Sequence, residues 1–109
     1  MVSKLKFPLI SKAFQAFGEE APVVSEAWMK LVQQVSAVSA LDRKTKGLAY
    51  LAVLAALRLE SGVPFHVQQV KMCGATREEV ISAILVGLPA AGHGVTQVLP
   101  AALEAYDSE

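Results

Sequence analysis

The sequence predicts an all-α protein, because its apolar residues repeat at helical spacing and one helix start is strongly specified. Apolar side chains recur every three to four residues in several segments, the period of one helix face. The period-two alternation typical of strands extends over no useful length. Thr76-Arg77-Glu78-Glu79 is a capping box. We expect a bundle of about five to six helices in a single domain spanning residues 1–109.

The first part of the chain predicts two amphipathic helices. The first is expected to end at Gly18, and its aromatic stripe is interpreted as a packing face. That stripe consists of Phe7, Ile10, Phe14 and Phe17. Residues 19–22 predict the start of the second helix, since acidic side chains suit the positive end of a helix and proline suits its first turn. The apolar face of the second helix consists of Val24, Trp28, Leu31, Val32 and Val35.

A third, longer helix is expected to begin after Asp42, whose carboxylate suits the N-cap position. From Leu48 to Leu57 nearly every residue is apolar, so this helix has no polar face. Such a helix is expected to be buried on all sides, which is difficult in so small a domain without a partner subunit. We expect the helix to run into a break at Ser61-Gly62.

The second half of the chain predicts three more helices. Ser61 is the expected N-cap of a short helix, residues 62–72, which ends at a left-handed Gly74. The capping box then starts the next helix. After a Gly-rich segment, a last helix is expected over residues 95–106, kinked by Pro100 and followed by a solvated tail.

Composition narrows the functional classes. Ten basic and ten acidic residues are interspersed, which argues against a nucleic-acid partner. The unbroken apolar run from Gly47 to Leu57 has 11 residues, whereas a helix needs about 20 to span a membrane. No apolar segment follows the N-terminal lysines, so we expect no secretory signal and no membrane association. The lone cysteine, Cys73, suits a reducing cytoplasm, which is the expected location.

The apolar content predicts self-association. Hydrophobic residues make up 53% of the chain and the mean hydropathy is +0.42, high values for a small domain. A small domain has much surface and little interior, so the excess apolar area must be covered by another surface. We therefore expect a homo-oligomer.

Glu60, Ser61 and His66 are the polar residues best suited to chemistry. An imidazole in the first turns of a helix lies near the positive end of the dipole, which lowers its pKa and favours the neutral, basic form. Glu60 or Ser61 is positioned to orient it. The alternative is that His66 only hydrogen-bonds a carbonyl at a subunit contact. No cofactor is expected.

Two other residues are weaker candidates. His93 lies between two glycines, but two histidines without a helical pair do not make the three protein ligands that a metal site usually has, so no metal is expected. Cys73 ends its helix at the negative pole, which disfavours a thiolate, and lies about 10 Å from His66 along the axis. It is interpreted as a buried structural cysteine.

The stretch Leu41–Leu88 resembles the carboxymuconolactone decarboxylase family, which includes the alkyl hydroperoxidase D proteins. Three segments carry the resemblance: Leu41-Asp42-Arg43-Lys44-Thr45-Lys46, His66-Val67 and Gly74-Ala75-Thr76-Arg77-Glu78-Glu79-Val80. The resemblance implies an all-helical bundle of the alkyl hydroperoxidase D type that assembles as a homotrimer or homohexamer. It also implies sites near the subunit contacts.

Departures from the family pattern bear on activity. The redox branch has a glutamate and a Cys-x-x-Cys pair, which fall here on Gly47, Leu59 and Gly62, while its histidine is retained as His66. Peroxide reduction needs an attacking thiolate and a resolving thiol, and neither sulfur is present at these positions. The resemblance implies that the decarboxylase branch relies on polar side chains, a role that His66 fits, with Glu60 as the candidate to substitute for the glutamate that is missing at Gly47.

Two hypotheses follow. In the first, the protein is a decarboxylase-like enzyme that acts on a small organic acid or lactone, with His66 as general acid/base and Glu60 or Ser61 orienting it. In the second, it is a non-catalytic homo-oligomer that binds a hydrophobic ligand or serves as a scaffold. The sequence leaves open whether the protein is an enzyme.

Overall fold

The chain is all-helical, as predicted. The computed structural model describes residues 10–108, in which six α-helices of nine residues or more occur with one four-residue helix and no strand. The helices are α1 (Lys12–Glu20), α2 (Pro22–Ala37), α3 (Arg43–Leu57), α4 (Val63–Met72), α5 (Arg77–Leu85), α6 (Leu88–Ala91) and α7 (Leu99–Asp107). Two 3-10 turns, Glu60–Gly62 and His93–Val98, precede α4 and α7. Phe7 and Glu109 lie outside the described residues.

Two predicted helix starts are confirmed in detail. The Asp42 carboxylate accepts a hydrogen bond of 2.8 Å from the Thr45 amide at the start of α3. At α5, the Thr76 hydroxyl accepts from the Glu79 amide at 3.1 Å, and the Glu79 carboxylate accepts from the Thr76 amide at 2.9 Å. Each bond satisfies a backbone donor that the helix itself leaves free.

The junction between α3 and α4 differs from the prediction. Helix α3 ends at Leu57, before Ser61-Gly62, because Arg58 adopts a left-handed conformation with φ of 58°. The Leu59 amide then donates to the Leu54 carbonyl at 2.9 Å, which closes the helix end. Ser61 is not the N-cap of α4. It lies inside the 3-10 turn, Gly62 occupies the cap position, and no side chain caps the helix.

The first helix boundary and the last helix also differ from the prediction. Helix α1 continues through Gly18 to Glu20, and Pro22 in the first turn of α2 marks the boundary instead. Pro100 does not kink the last helix, because it lies in the first turn of α7, where its missing amide is not needed. The expected solvated tail is partly anchored: Asp107 is helical and pairs with Arg77 at 2.9 Å.

The core consists of α3, α4, α5, α7 and the second 3-10 turn. Its buried residues are Leu51, Leu54 and Ala55 on α3, Val63, Val67 and Val70 on α4, Ala75, Val80 and Ile84 at α5, and Val95, Val98, Ala102 and Ala105 at the C-terminal end. Helices α1 and α2, called here the N-terminal hairpin, contribute no buried residue. They pack on each other through Trp28, whose ring meets Phe14 and Phe17 edge-on at 5.8 and 6.2 Å.

Helix α4 is fixed from its far end by the last helix. The Lys71 ammonium donates to the carbonyls of Tyr106 at 2.6 Å and Ser108 at 3.2 Å, where the final carbonyls of α7 lack helical partners. The Tyr106 hydroxyl donates to the Ala75 carbonyl at 2.8 Å. These bonds hold α4, which carries His66, against α7.

Across residues 10–108, no helix combines the length and the apolar character that crossing a membrane requires.

Gly47 permits the close approach of α3 and α4, since a Cβ atom there would overlap Cγ1 of Val70. We expect Gly47→Ala to lower the free energy of unfolding by about 1 kcal/mol, because overpacking costs more than the better helix propensity of alanine returns. Gly18→Ala is the matched control, because a Cβ there meets only Ser25 Oγ at an ordinary 3.9 Å. That control should raise stability by about 0.5–1 kcal/mol. Urea unfolding measures both, and equal stabilisation by the two substitutions would contradict the close contact.

Candidate functional site

A pocket of about 450 Å³ lies between the N-terminal hairpin and the α3–α4 junction. Its hairpin wall consists of Ile10, Ser11, Phe14, Trp28, Met29 and Val32. Opposite them lie Tyr50 and Leu54 on α3, Leu59, Ser61 and Gly62 in the connection, and Phe65 and His66 on α4. The lining is mainly apolar, with two hydroxymethyl side chains, one phenol and one imidazole.

His66 is the fourth residue of α4 and lies in a partly buried aromatic setting. Its ring centroid is 4.6 Å from that of Tyr50, tilted by 56°, and 5.3 Å from that of Phe65, at a right angle. Burial lowers the pKa of His66. The direction agrees with the prediction, but the cause is loss of solvent around the charged form, whereas the sequence argument invoked the helix dipole. The shift favours the neutral imidazole, which is the form that can accept a proton.

The structure brings two of the three predicted site residues together. Ser61 and His66 both line the pocket, and Ser61 also stays accessible to solvent. Glu60 is exposed and is not part of the lining. Among the described residues, neither Glu60 nor Ser61 forms a hydrogen bond to the His66 ring.

Tyr50 and Trp28 are pocket residues that the sequence reasoning did not single out. Tyr50 belongs to the apolar run of α3, although its phenol is the one polar-tipped side chain of that run. The spacing of Trp28 predicts a packing role, and Trp28 does pack on Phe14 while also facing the pocket. Spacing within a helix indicates a face, but it does not indicate what that face meets.

The positions at which the redox branch would carry cysteines both lie at this pocket. Leu59 and Gly62 line it together with His66. A Cβ at Gly62 would reach only the Leu54 methyl groups at 3.8 and 3.9 Å, which leaves room for a side chain. Gly47 is different, because the contact with Val70 leaves no room for a glutamate there. The absence of a glutamate at position 47 therefore accompanies the close packing of α3 against α4.

The remaining candidates lie elsewhere. His93 is exposed, and the Thr96 hydroxyl donates to its carbonyl at 2.9 Å. Cys73 is only half-buried, which departs from the predicted burial, and it borders a separate open groove near the start of α3. Within the part of the chain that the structure describes, no three His, Cys, Asp or Glu side chains cluster in a way that would hold a metal ion.

The fold and the pocket define a small helical protein with one histidine at an interhelical site. The family model of the carboxymuconolactone decarboxylase family matches residues 22–105, and the chain belongs to this family. The match extends from the start of α2 into α7 and therefore includes every segment of the resemblance. No curated protein and no solved structure is significantly similar to the chain.

Because the pKa of His66 is lowered in the folded state, we expect the free energy of unfolding to depend on pH. The stability that depends on the neutral ring is fully present above the ordinary pKa of about 6.5. It is lost as the pH falls from there through the lower pKa of the folded state. Urea unfolding between about pH 7.5 and 5 should show this loss in the wild type and a flatter profile in His66→Gln.

The control for this measurement is His93→Gln, since that side chain is exposed and outside the pocket. It should retain the wild-type profile. A profile for His66→Gln as steep as that of the wild type would show that burial of this imidazole does not contribute to the pH dependence.

Proposed function

We propose that this protein is a carboxymuconolactone decarboxylase-like enzyme that acts on a small organic acid or lactone, with His66 as general acid/base. The observation that carries the proposal is the position of His66, a partly buried imidazole with a lowered pKa at the wall of a ligand-sized pocket. A decarboxylation breaks the bond between the carboxylate and the carbon beside a carbonyl, CO₂ leaves, and the imidazole delivers to that carbon a proton that it takes from water.

The neighbours of His66 have distinct proposed roles. Tyr50 and Phe65 restrict the ring by contact on two sides. Ser61 is proposed to orient the substrate relative to His66. It lines the same pocket, and its hydroxyl can donate to a substrate carbonyl oxygen. Glu60 is proposed only as a carboxylate that influences His66 from the exposed side of the 3-10 turn, since it does not line the pocket.

Thiol peroxidase chemistry of the Cys-x-x-Cys type is not part of the proposal. The chain has one cysteine, and Cys73 borders a different groove from the one beside His66. A thiolate and a resolving thiol are both needed for that cycle. The proposed chemistry is therefore proton transfer in a cytoplasmic enzyme without a cofactor.

A homotrimer or homohexamer is the proposed assembly. On and just after α2, Val23, Val24, Leu31, Val35 and Val38 are between 55% and 84% exposed. On α3, Val53 and Leu57 are 50% and 62% exposed, although the helix has no polar face. Apolar area of this extent is typical of a surface that another subunit covers.

The assembly is tested by light scattering at micromolar concentration. We expect a single species with three or six times the mass of the 11.6 kDa chain. Val35→Lys places a charge on this surface and should shift the species toward smaller mass. A wild-type monomer at these concentrations would refute the proposed assembly.

A non-catalytic ligand-binding protein is the second candidate. The mainly apolar lining favours it, as does an imidazole that no described side chain orients through a hydrogen bond. Under this hypothesis a small hydrophobic molecule would occupy the pocket and leave unchanged.

The two candidates are separated by the variant His66→Ala. Small lactones that carry a carboxylate, and the hydroxy acids that they form on ring opening, are the test compounds, and CO₂ release and exchange of carbon-bound hydrogen in D₂O are the measurements. If His66 is the acid/base, the variant should lose about 100-fold or more in rate, the usual contribution of such a group. His93→Ala should keep the wild-type rate, since His93 lies outside the pocket.

Unchanged turnover of every accepted compound by His66→Ala would refute the catalytic role. Binding without chemical change in the wild type would favour the second candidate instead.

A further inference from the structure

We infer that Tyr50 is the hydrogen-bond donor of the His66 pocket that stabilises a ligand oxygen carrying negative charge. The inference rests on the proposed function and deepens it, because such a charge develops on a substrate carbonyl oxygen as CO₂ leaves. An unreactive phenolate presents the same kind of oxygen to the pocket, so the donor role of Tyr50 can be measured apart from turnover.

The antiparallel pairing of α3 and α4 places Tyr50 opposite His66. Three contacts advance by about one turn at a time along α3 and return by one turn at a time along α4 to its N-cap: Gly47 with Val70, Tyr50 with His66, and Leu54 with Gly62. The centroids of the Tyr50 and His66 rings are 4.6 Å apart. The imidazole therefore meets the α3 residue that lies one turn after Gly47.

Tyr50 is the most acidic neutral donor that the described part of the pocket offers. Among the lining residues that the structure describes, only Tyr50 and His66 have titratable side chains. Glu60, which the sequence offered as the acidic partner, is exposed and does not line the pocket. A phenol is more acidic than the two serine hydroxyls of the lining, so it donates more strongly to an oxygen anion.

The Tyr50 hydroxyl is available to a ligand. Within the part of the chain that the structure describes, it forms no hydrogen bond, whereas the hydroxyl of Tyr106 donates to the Ala75 carbonyl at 2.8 Å. Tyr50 is also 44% exposed, so a molecule that enters the pocket can reach it. Its ring contacts His66, which leaves the hydroxyl as the part of this side chain that has no described partner.

The proposed reaction generates the charge that Tyr50 would stabilise. When the bond between the carboxylate and the neighbouring carbon breaks, CO₂ leaves and the electron pair of that bond moves onto the carbonyl oxygen. A hydrogen bond from Tyr50 stabilises this enolate oxygen. His66 then delivers to the carbon a proton taken from water, hydroxide is left, and the carbonyl is restored. The phenol keeps its own proton throughout.

The probe for the donor role is 4-nitrophenol, an aromatic molecule that ionises near neutral pH and is yellow only as the anion. Its oxygen stands in for the enolate oxygen, and its absorbance is followed as the pH is varied in the presence of excess protein. Tyr50→Phe keeps the ring against His66 and removes only the hydroxyl. In the wild type the bound probe should ionise at least about one pH unit lower than in Tyr50→Phe, because a hydrogen bond to a charged oxygen is stronger than one to a neutral oxygen.

The matched control is Tyr106→Phe, which removes a hydroxyl from the only other tyrosine, outside the pocket. It should keep the wild-type ionisation of the probe. His66 is present in all three proteins, so its own titration is common to the comparison. Equal ionisation of the bound probe in the wild type and Tyr50→Phe, or no binding of 4-nitrophenol to the wild type at millimolar concentration, would overturn the inference.

Turnover tests the catalytic consequence with the carboxylate-bearing lactones and hydroxy acids named above. Tyr50→Phe should lower kcat by about 100-fold, the usual cost of removing one donor to a developing oxygen anion. KM should stay near the wild-type value, because the hydrogen bond strengthens only as the charge develops. A purely packing role predicts full activity, since phenylalanine keeps the ring. A change confined to KM would contradict the catalytic role.

The outcomes separate this inference from the proposed function. Easier ionisation of the probe in the wild type than in Tyr50→Phe, with no CO₂ released from any compound, would refute the enzyme and leave the donor role intact. Turnover that requires His66, with equal probe ionisation and equal kcat in the wild type and Tyr50→Phe, would refute the inference alone.

Discussion

The structure depends on the close packing of α3 against α4. Gly47 meets Val70 without a side chain between the two helices, and Leu51, Leu54, Val63 and Val67 fill the core of this contact. Because the two backbones approach so closely, Tyr50 reaches the ring of His66, and the turn between the helices brings Ser61 to the same pocket. The glycine that makes this packing possible also stands at the position that the family resemblance assigns to the glutamate of the redox branch.

The pocket has two walls of different character. One belongs to the bundle, where Lys71 and Tyr106 fasten α4 to α7 and to the Ala75 backbone. The other belongs to the N-terminal hairpin, which has no buried residue and is connected to α3 by hydrogen bonds from Lys46 to Ser36 at 2.6 and 3.3 Å. His66 lies between these walls, and its burial is what lowers the pKa of the imidazole.

Local chemistry explains which parts of the fold were predictable. The Asp42 cap and the capping box of Thr76 and Glu79 form within four residues, so their side chains and backbone partners can be identified from the sequence. The end of α3 was not predictable in this way. Arg58 takes a left-handed conformation that residues of its type rarely adopt, and its guanidinium packs on Gly94 from a distant part of the chain. The predicted kink at Pro100 was wrong for a related reason. Whether a proline lies in the first turn or the middle of a helix depends on where the preceding 3-10 turn ends, here at Val98.

The sequence by itself determined the all-α class, the starts of α3 and α5, the family resemblance, the single cysteine and the retention of His66. All of these follow from residue type and short-range spacing. Only the tertiary structure decided that Ser61 accompanies His66 while Glu60 faces solvent, and that Trp28 and Tyr50 belong to the site. It also decided that Gly47 cannot be replaced without moving Val70. The reason is that each of these facts concerns two segments that are distant in sequence, and the chain brings them together only when the helices pack.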